Sequence, residues 1–221
     1  MNRKEIEKEY DARLENYKKS LDFFKEMVVE CYKALRDNNS VRIDKDCSFC
    51  VKEKNSFVEK ALKPKLDSKT NEPLEGTLKY ENPFIDIQDI IRARIVVYYL
   101  SDVEKIAKCI KDSLGGIEDN DFVSFDDYQK FGYQGRHLIV NINKALIPDS
   151  LGINKELIPN FFELQIKTLF QHAWSQAEHD LKYKEDSEHN LSFDQKRMLA
   201  FAAAQAWGAD KIFDSIYTNK L

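Results

Sequence analysis

Apolar residues recur at steps of three and four along the first 38 positions: Ile6, Tyr10, Leu14, Tyr17, Leu21, Phe24, Val28, Cys31 and Leu35. This spacing predicts one long amphipathic helix, or two broken end to end. Its stripe must be buried on the domain or on a second copy of the chain. Beyond it the pattern shortens. CSFCVKEKN, 47–55, reads as a strand, ending where Ser56 is placed to cap a short helix, FVEKAL. The polar stretch from Pro64 to Asn82 has the look of a surface loop, and FIDIQDI is a short segment capped by acids. RARIVVYY, 92–99, is a buried β-branched run, and RHLIVNI, 136–142, is another strand. Between them SDVEKIAKCIKDSLGG carries a Ser-x-x-Glu capping box at Ser101 and Glu104 and a glycine stop, which predicts a helix. A last helix starts near Ser192. Alternating strands and helices between two long terminal helices imply an α+β fold, with a mixed sheet of about five strands flanked by helices. The expected organisation is a helical extension over 1–40, a central domain over 41–191, and a C-terminal helix over 192–221 that packs on the domain or a partner.

The most informative stretch is FFELQIKTLFQHAWSQAEHDLKYK, 161–184. Strict alternation puts Glu163, Gln165 and Lys167 on one face of a strand and Phe162, Leu164 and Ile166 on the other. Thr168 is a fair N-cap for the helix that follows. Steps of four predict that this helix buries Leu169, Ala173, Ala177 and Leu181 and exposes Gln171, His172, Ser175, Gln176 and His179. An amphipathic helix behind an edge strand would show the same spacing, but the collection of polar groups on one side is site-like.

Composition narrows the classes. At 221 residues, 43% hydrophobic and 33% charged, the chain is an ordinary globular protein with one well-cored domain. A net charge of −4 gives no global basic field for nucleic acid. The charged N-terminus is neither a secretory signal nor a membrane span, and Cys31, Cys47, Cys50 and Cys109 fit a reduced, cytoplasmic protein. Cys47 and Cys50 have the spacing of a zinc knuckle, but no second pair with that spacing accompanies them.

Candidate chemistry falls in three places. Asp86 and Asp89 precede the central buried strand, where one of them could hold a hard cation with Glu163 or simply cap the turn before the strand; Asp89 with Glu163 is the preferred pair. In KFGYQGRH, Gly132 and Gly135 bracket Tyr133, so the backbone can turn sharply and hold the phenol ring out for stacking on a nucleobase, or over a hairpin. The strand carrying Glu163 is the third.

Together these motifs resemble the RelA/SpoT-like alarmone synthetases in their small single-domain form, from about Cys47 to Lys184. IQDIIRARIVVYYLSDV is similar to that family's metal-aspartate segment, FGYQGRH to its acceptor loop, FELQIKT to its glutamate strand, and HAWSQAEHDLKYK to the helix after it. The resemblance implies a nucleotidyltransferase-like synthetase fold that transfers the β,γ-pyrophosphate of ATP to the 3′-hydroxyl of GDP or GTP. It implies Mg²⁺ on Asp89 and Glu163, which are also the catalytic pair. It places Lys52, Ser56 and Lys60 on the ATP phosphates and Arg94 on the adenine. Tyr133, His137, His172 and Gln165 would then bind the acceptor nucleotide.

The chain also departs from the family. Cys50 stands where an arginine usually flanks the other side of the adenine, on a strand face expected to carry Lys52 and Lys54 too. Gly135 replaces a common serine, and Lys167 a common arginine. Two other readings therefore stay open. One is a toxic synthetase, acting on tRNA 3′ ends with help from Lys18, Lys19 and Lys130 or making adenosine alarmones, and held in check by a protein antitoxin. The other is a non-catalytic nucleotide-binding regulator. Self-association through the N-terminal stripe is a further expectation. His179-Asp180 invites comparison with a hydrolase pair, but the chain's other histidines, His137, His172 and His189, offer no upstream partner.

Overall fold

The structure is a computed structural model, and it describes residues 1–67, 70–115, 118–121, 131–132, 135–183 and 191–219. The chain begins with α1 (Arg3–Asp37), whose N-terminus is closed by a reciprocal capping box between Asn2 and Glu5. Ile6, Tyr10, Tyr17, Phe24 and Val28 are all buried in the core of the same chain. The predicted stripe is thus satisfied at home, and it leaves no apolar face on α1 that requires a second copy.

The next elements are β1 (Ile43–Val51), α2 (Lys54–Ala61), the short hairpin β2 (Pro64–Leu66) and β3 (Pro73–Leu78), and α3 (Pro83–Asp86). Three expectations need correction here. β1 starts four residues before Cys47. Ser56 lies inside α2 rather than capping it, because the chain enters that helix at Glu53. The polar stretch 64–82 contains a hairpin; its strands are exposed on both faces, so no apolar alternation marks them.

The second half contains β4 (Ile91–Val97), α4 (Leu100–Leu114), β5 (Glu118–Asp121), β6 (Arg136–Asn141), β7 (Phe161–Thr168), α5 (Leu169–Tyr183) and α6 (Phe193–Thr218). The main sheet has five strands in the order β1-β4-β7-β6-β5. Only β4 and β7 run parallel; every other pair is antiparallel, so the sheet is mixed, as the pattern implied. One face, carrying Ile91, Ala93, Ile95, Phe162, Leu164, Ile166, Leu138 and Val140, is sealed by α1 and α4. Burying some thirty apolar side chains there is the main stabilising term. The other face is polar, and it carries the candidate site.

The Ser101–Glu104 capping box does not form. α4 begins at Leu100 behind Tyr99, and the Ser101 N–H donates to Asp214 Oδ1 of α6 at 2.8 Å. Glu104 is drawn instead to Arg136. By contrast Thr168 caps α5 as expected: the Gln171 N–H donates to Thr168 Oγ1 at 3.1 Å, and the Thr168 N–H to Gln171 Oε1 at 3.0 Å. The faces of α5 differ from those predicted, although Gln176 and His179 are exposed as expected. Gln171, His172 and Ser175 are buried, while Ala173, Ala177 and Leu181 are exposed. Periodicity alone assigns the apolar side inward. Here the inward side meets Lys167 and the polar sheet face, where hydrogen-bonding side chains cost less than alanines would.

α6 starts behind Ser192, as expected, and its N-terminus is closed by a Ser192–Gln195 capping box. It docks on the domain by a stack of Phe170 on Phe213 (5.7 Å), a stack of Tyr99 on Tyr217 (3.9 Å), and a Trp174 indole N–H donated to Leu199 O at 3.1 Å. Its deepest contact is polar. Asp210, 1% exposed, accepts the Thr168 hydroxyl at 2.7 Å through Oδ2, while Oδ1 has no partner. Burial pushes the Asp210 carboxyl up to about 7 despite that hydrogen bond.

A folded protein that holds a proton the unfolded chain has lost is progressively less stable as pH rises from about 4 to about 7, and level above that. Asp210→Asn, which keeps the hydrogen-bond acceptor, should abolish this part of the fall. At pH 8 the variant should be more stable than the parent by roughly 1–4 kcal/mol. Urea unfolding at pH 5 and pH 8 checks it: a parent and variant that respond identically to pH would exclude an Asp210 contribution.

Candidate active site

The polar face is assembled by register. Across the parallel β4–β7 pair Arg92 stands opposite Glu163, and Arg94 opposite Gln165. On the far side of β4, Cys50 faces Arg92 and Ser48 faces Arg94; on the far side of β7, His137 faces Gln165. Directly opposed residues share a face. Four strands therefore project their polar side chains over one patch.

Two carboxylates anchor it. Asp89, in the turn before β4, accepts Lys60 Nζ at 2.8 Å through Oδ1 and Lys52 Nζ at 3.0 Å through Oδ2. Burial would raise its pKa, but the two ammonium groups hold it below the usual carboxylate range. Asp86 plays the capping part: the Asn82 N–H donates to it at 2.8 Å, at the start of α3. Glu163 bonds His137 Nδ1 at 2.8 Å through Oε1 and accepts the Gln165 amide N–H at 2.9 Å through Oε2. Burial pushes Glu163 up. The hydrogen bond and charge of His137 outweigh that and bring it below its ordinary value, against a smaller upward push from Asp89. Asp89 precedes β4 by two residues and Glu163 stands opposite Arg92 near the start of that strand, so both carboxylates lie toward one end of the parallel pair.

Lys52 and Lys60 both reach the site, the former because β1 ends at Val51 and the chain turns there. Lys54, expected on a common face with Lys52, instead pairs with Asp11 of α1 at 3.1 Å, since it already belongs to α2. Ser56 lies one helical turn before Lys60 on α2, partly buried, on the same side. His172 is in contact with Lys45 Nζ at 3.5 Å; burial and then the charges of Arg94, Lys45 and Lys167 hold it low, so the imidazole is neutral at pH 7. His179 and Asp180 are exposed on α5. Tyr133 lies outside the described residues, as do Lys130 and His189. The neighbouring Phe131 meets Trp207 of α6 edge-on at 5.9 Å.

The sequence reading missed two participants, Lys45 and Arg92. Lys45 was overlooked because the strand was started at Cys47. Arg92 shares a face with Arg94 by simple alternation, a cue present in RARIVV but hidden by treating the whole run as buried. Lys167 is 2% exposed, with Nζ at 3.2 Å from Ser175 Oγ; burial, then Arg94, push it down to about 7. Its stem occupies the space above Gly135, where a Cβ would lie 3.1 Å from Lys167 Cγ. Gly135 also has φ +151°, a conformation that disfavours any side chain. The two family departures noted above are thus one packing unit.

The oxygen-only donor pair Asp89 and Glu163 fits a hard divalent cation such as Mg²⁺, which takes one or two carboxylates and completes its shell with phosphate oxygens and water. Among the described residues no cluster of three or more acidic, histidine or cysteine groups could hold a metal by itself, and all four cysteines are free thiols. Cys47 and Cys50, three positions apart on one strand, project to opposite faces, which rules out the knuckle geometry.

A mixed sheet that places paired carboxylates among unneutralised cations defines a domain built to receive a polyanion. The comparisons agree. The sequence family described as "Region found in RelA / SpoT proteins" matches residues 50–188. This chain belongs to that RelA/SpoT family. No curated protein matches the sequence. Among solved structures it is similar to smu.1046c of Streptococcus mutans UA159 (25% identity, TM-score 0.68, covering 93% of this chain and 94% of that one). It is similar also to a GTP pyrophosphokinase family protein of Streptococcus pneumoniae (21%, 0.68, 96% and 94%). A third is small alarmone synthetase 1 of Bacillus subtilis bound to its product pppGpp (18%, 0.66, 96% and 98%). The synthetase fold extends over the whole chain, terminal helices included. No helix among the described residues is long and apolar enough to cross a membrane.

The Gly135–Lys167 packing is testable. Gly135→Ala should destabilise the protein by about 1–3 kcal/mol through backbone strain and overpacking. Adding Lys167→Ala should recover part of that loss by vacating the space. Strict additivity of the two changes in chemical unfolding would exclude the contact.

Proposed function

We propose that this protein transfers the β,γ-pyrophosphoryl group of ATP to the 3′-hydroxyl of a guanosine nucleotide, GDP or GTP, yielding a guanosine alarmone. The observation that carries the reading is Asp89, shared by Lys52 and Lys60, at the same end of the β4–β7 pair as the buried Glu163. Its relatives support it: one is a small alarmone synthetase with pppGpp bound, another a GTP pyrophosphokinase family protein.

Phosphoryl-type transfer demands positioning and neutralisation of charge more than covalent participation. In the ligand-free protein Lys52 and Lys60 neutralise Asp89. When the donor arrives, the same ammonium groups can turn to its phosphates, and Asp89 is freed to take up the cation. Mg²⁺, when bound by Asp89 and Glu163, supplies the remaining neutralisation of the triphosphate. Glu163 is ionised at neutral pH, held in one orientation by His137 and Gln165, and stands ready to accept a hydrogen bond from the attacking hydroxyl. As a metal ligand with a lowered pKa it is a better orienter than proton sink. Tyr133 is assigned to stacking on the acceptor base, and neutral His172 to an acceptor contact.

The test is direct. The purified chain is incubated with γ-labelled ATP and Mg²⁺, with GDP, GTP, adenosine nucleotides and deacylated tRNA offered in parallel. Label in guanosine products is expected; label in tRNA or adenosine products would replace the acceptor, and no transfer at all would remove the enzymatic reading. Glu163→Gln and Asp89→Asn should each lower kcat at least about a hundredfold, a loss of roughly 3 kcal/mol of transition-state stabilisation, with the fold intact by circular dichroism. Chelation of divalent ions should stop the parent reaction. A variant retaining a tenth of parental activity would take that carboxylate out of the metal site.

A further inference from the structure

Arg92 and Arg94 are the unexplained charges of the polar face. Both are partly buried, and each has its Nε fully buried without a hydrogen-bond partner. Neither makes an ion pair among the described residues. The obvious partner for Arg92 is Glu163, directly across the β4–β7 register, but both Glu163 oxygens are already taken, by His137 and by Gln165. Arg94 stands between the neutral Ser48 and Gln165, and its charge lowers both Lys167 and His172. Leaving two guanidinium groups half-buried and unpaired costs free energy, and such a cost is tolerated where a ligand removes it.

The spacing identifies the ligand. Residues two apart on a strand lie on one face about 6.7 Å from each other. Two van der Waals contacts of about 3.5 Å fill that distance with one flat ring between two flat guanidinium planes. The two arginines, with Ser48, Cys50 and Gln165, line an open cavity of about 90 Å³. Cys50 also lines a cleft of about 460 Å³ that contains Lys52. Asp89, which holds both Lys52 and Lys60, lies three residues before Arg92 in the turn that leads into the same strand.

We infer that Arg92 and Arg94 form a purine clamp on a single strand, with Arg92 supplying the ring face that Cys50 on the neighbouring strand cannot. Arg92 is thus a donor-specificity residue that touches the base and not the triphosphate. This rests on the reading of ATP as the donor. Since Cys50 is the direct cross-strand neighbour of Arg92 on the same face, an arginine introduced there enters the same space.

The experiment measures binding of a non-hydrolysable ATP analogue and of inorganic tripolyphosphate by calorimetry, without acceptor, alongside steady-state KM values. Arg92→Ala should weaken the ATP analogue about tenfold, while changing tripolyphosphate and the acceptor KM less than twofold. Arg92→Lys keeps the charge but lacks the plane, and should lose as much as Arg92→Ala. In an Arg92→Gly background, Cys50→Arg should restore analogue binding to within about threefold of the parent. Equal losses for analogue and tripolyphosphate would make Arg92 a phosphate contact and overturn the clamp. So would full binding by Arg92→Lys, or no rescue by Cys50→Arg. The binding measurements stand even if the parent transfers pyrophosphate to no acceptor, an outcome that would sink the proposed reaction but leave the clamp standing or falling by itself.

Discussion

The parallel pairing of β4 with β7 is the constraint on which everything else depends. Among the described residues it is the only parallel pair in the sheet, and it joins strands separated by more than sixty residues. Such a pairing requires a long crossover, supplied here by α4 and the β5–β6 ribbon. Its register sets Arg92 beside Glu163 and Arg94 beside Gln165. A slip of one residue would turn Glu163 into the apolar core and Leu164 onto the polar face. That alternative is closed by Phe162, Leu164 and Ile166, which are completely buried under α1 and α4. The apolar side of β7 thus enforces the placement of the polar side.

Around this pair the protein manages an excess of charge. Asp89 is shared by two lysines and Glu163 is held by a histidine and an amide, whereas Arg92 and Arg94 lie on the same face with no ion pair among the described residues. Negative charge is neutralised and positive charge is left over. A site of that kind is prepared for a polyanion, with pre-set dipoles and cations that need little rearrangement when the ligand arrives. Burial first, and then the charge of Arg94, pushes Lys167 and His172 down.

α6 lies beyond the stretch that matches the family, yet it is tied to the site's framework. Asp210 is bonded to Thr168, the residue that ends β7 and caps α5, and Trp207 meets Phe131. The last helix therefore braces the strand that carries Glu163.

Much of this was legible in the amino-acid sequence. Alternation in FFELQIKT, the stripe of α1 and the β-branched run of β4 report burial directly, because one buried face imposes a period on the chain. Asp89, Glu163, Lys52 and Lys60 were found through motifs whose order along the chain survives without knowledge of the fold. Other features had no local cue. The buried face of α5 depends on what lies opposite it, and a helix cannot declare by its own period that its partner surface is polar. The choice of Asp86 as cap and Asp89 as site residue, the seating of Gly135 on Lys167, and the meeting of Arg92 with Cys50 are all contacts between segments distant in sequence. Pattern along one segment reports which strand faces are buried and which residue types stand ready for chemistry; packing between segments settles which of those residues meet. Local periodicity is a property of one segment, whereas register and charge pairing are properties of two.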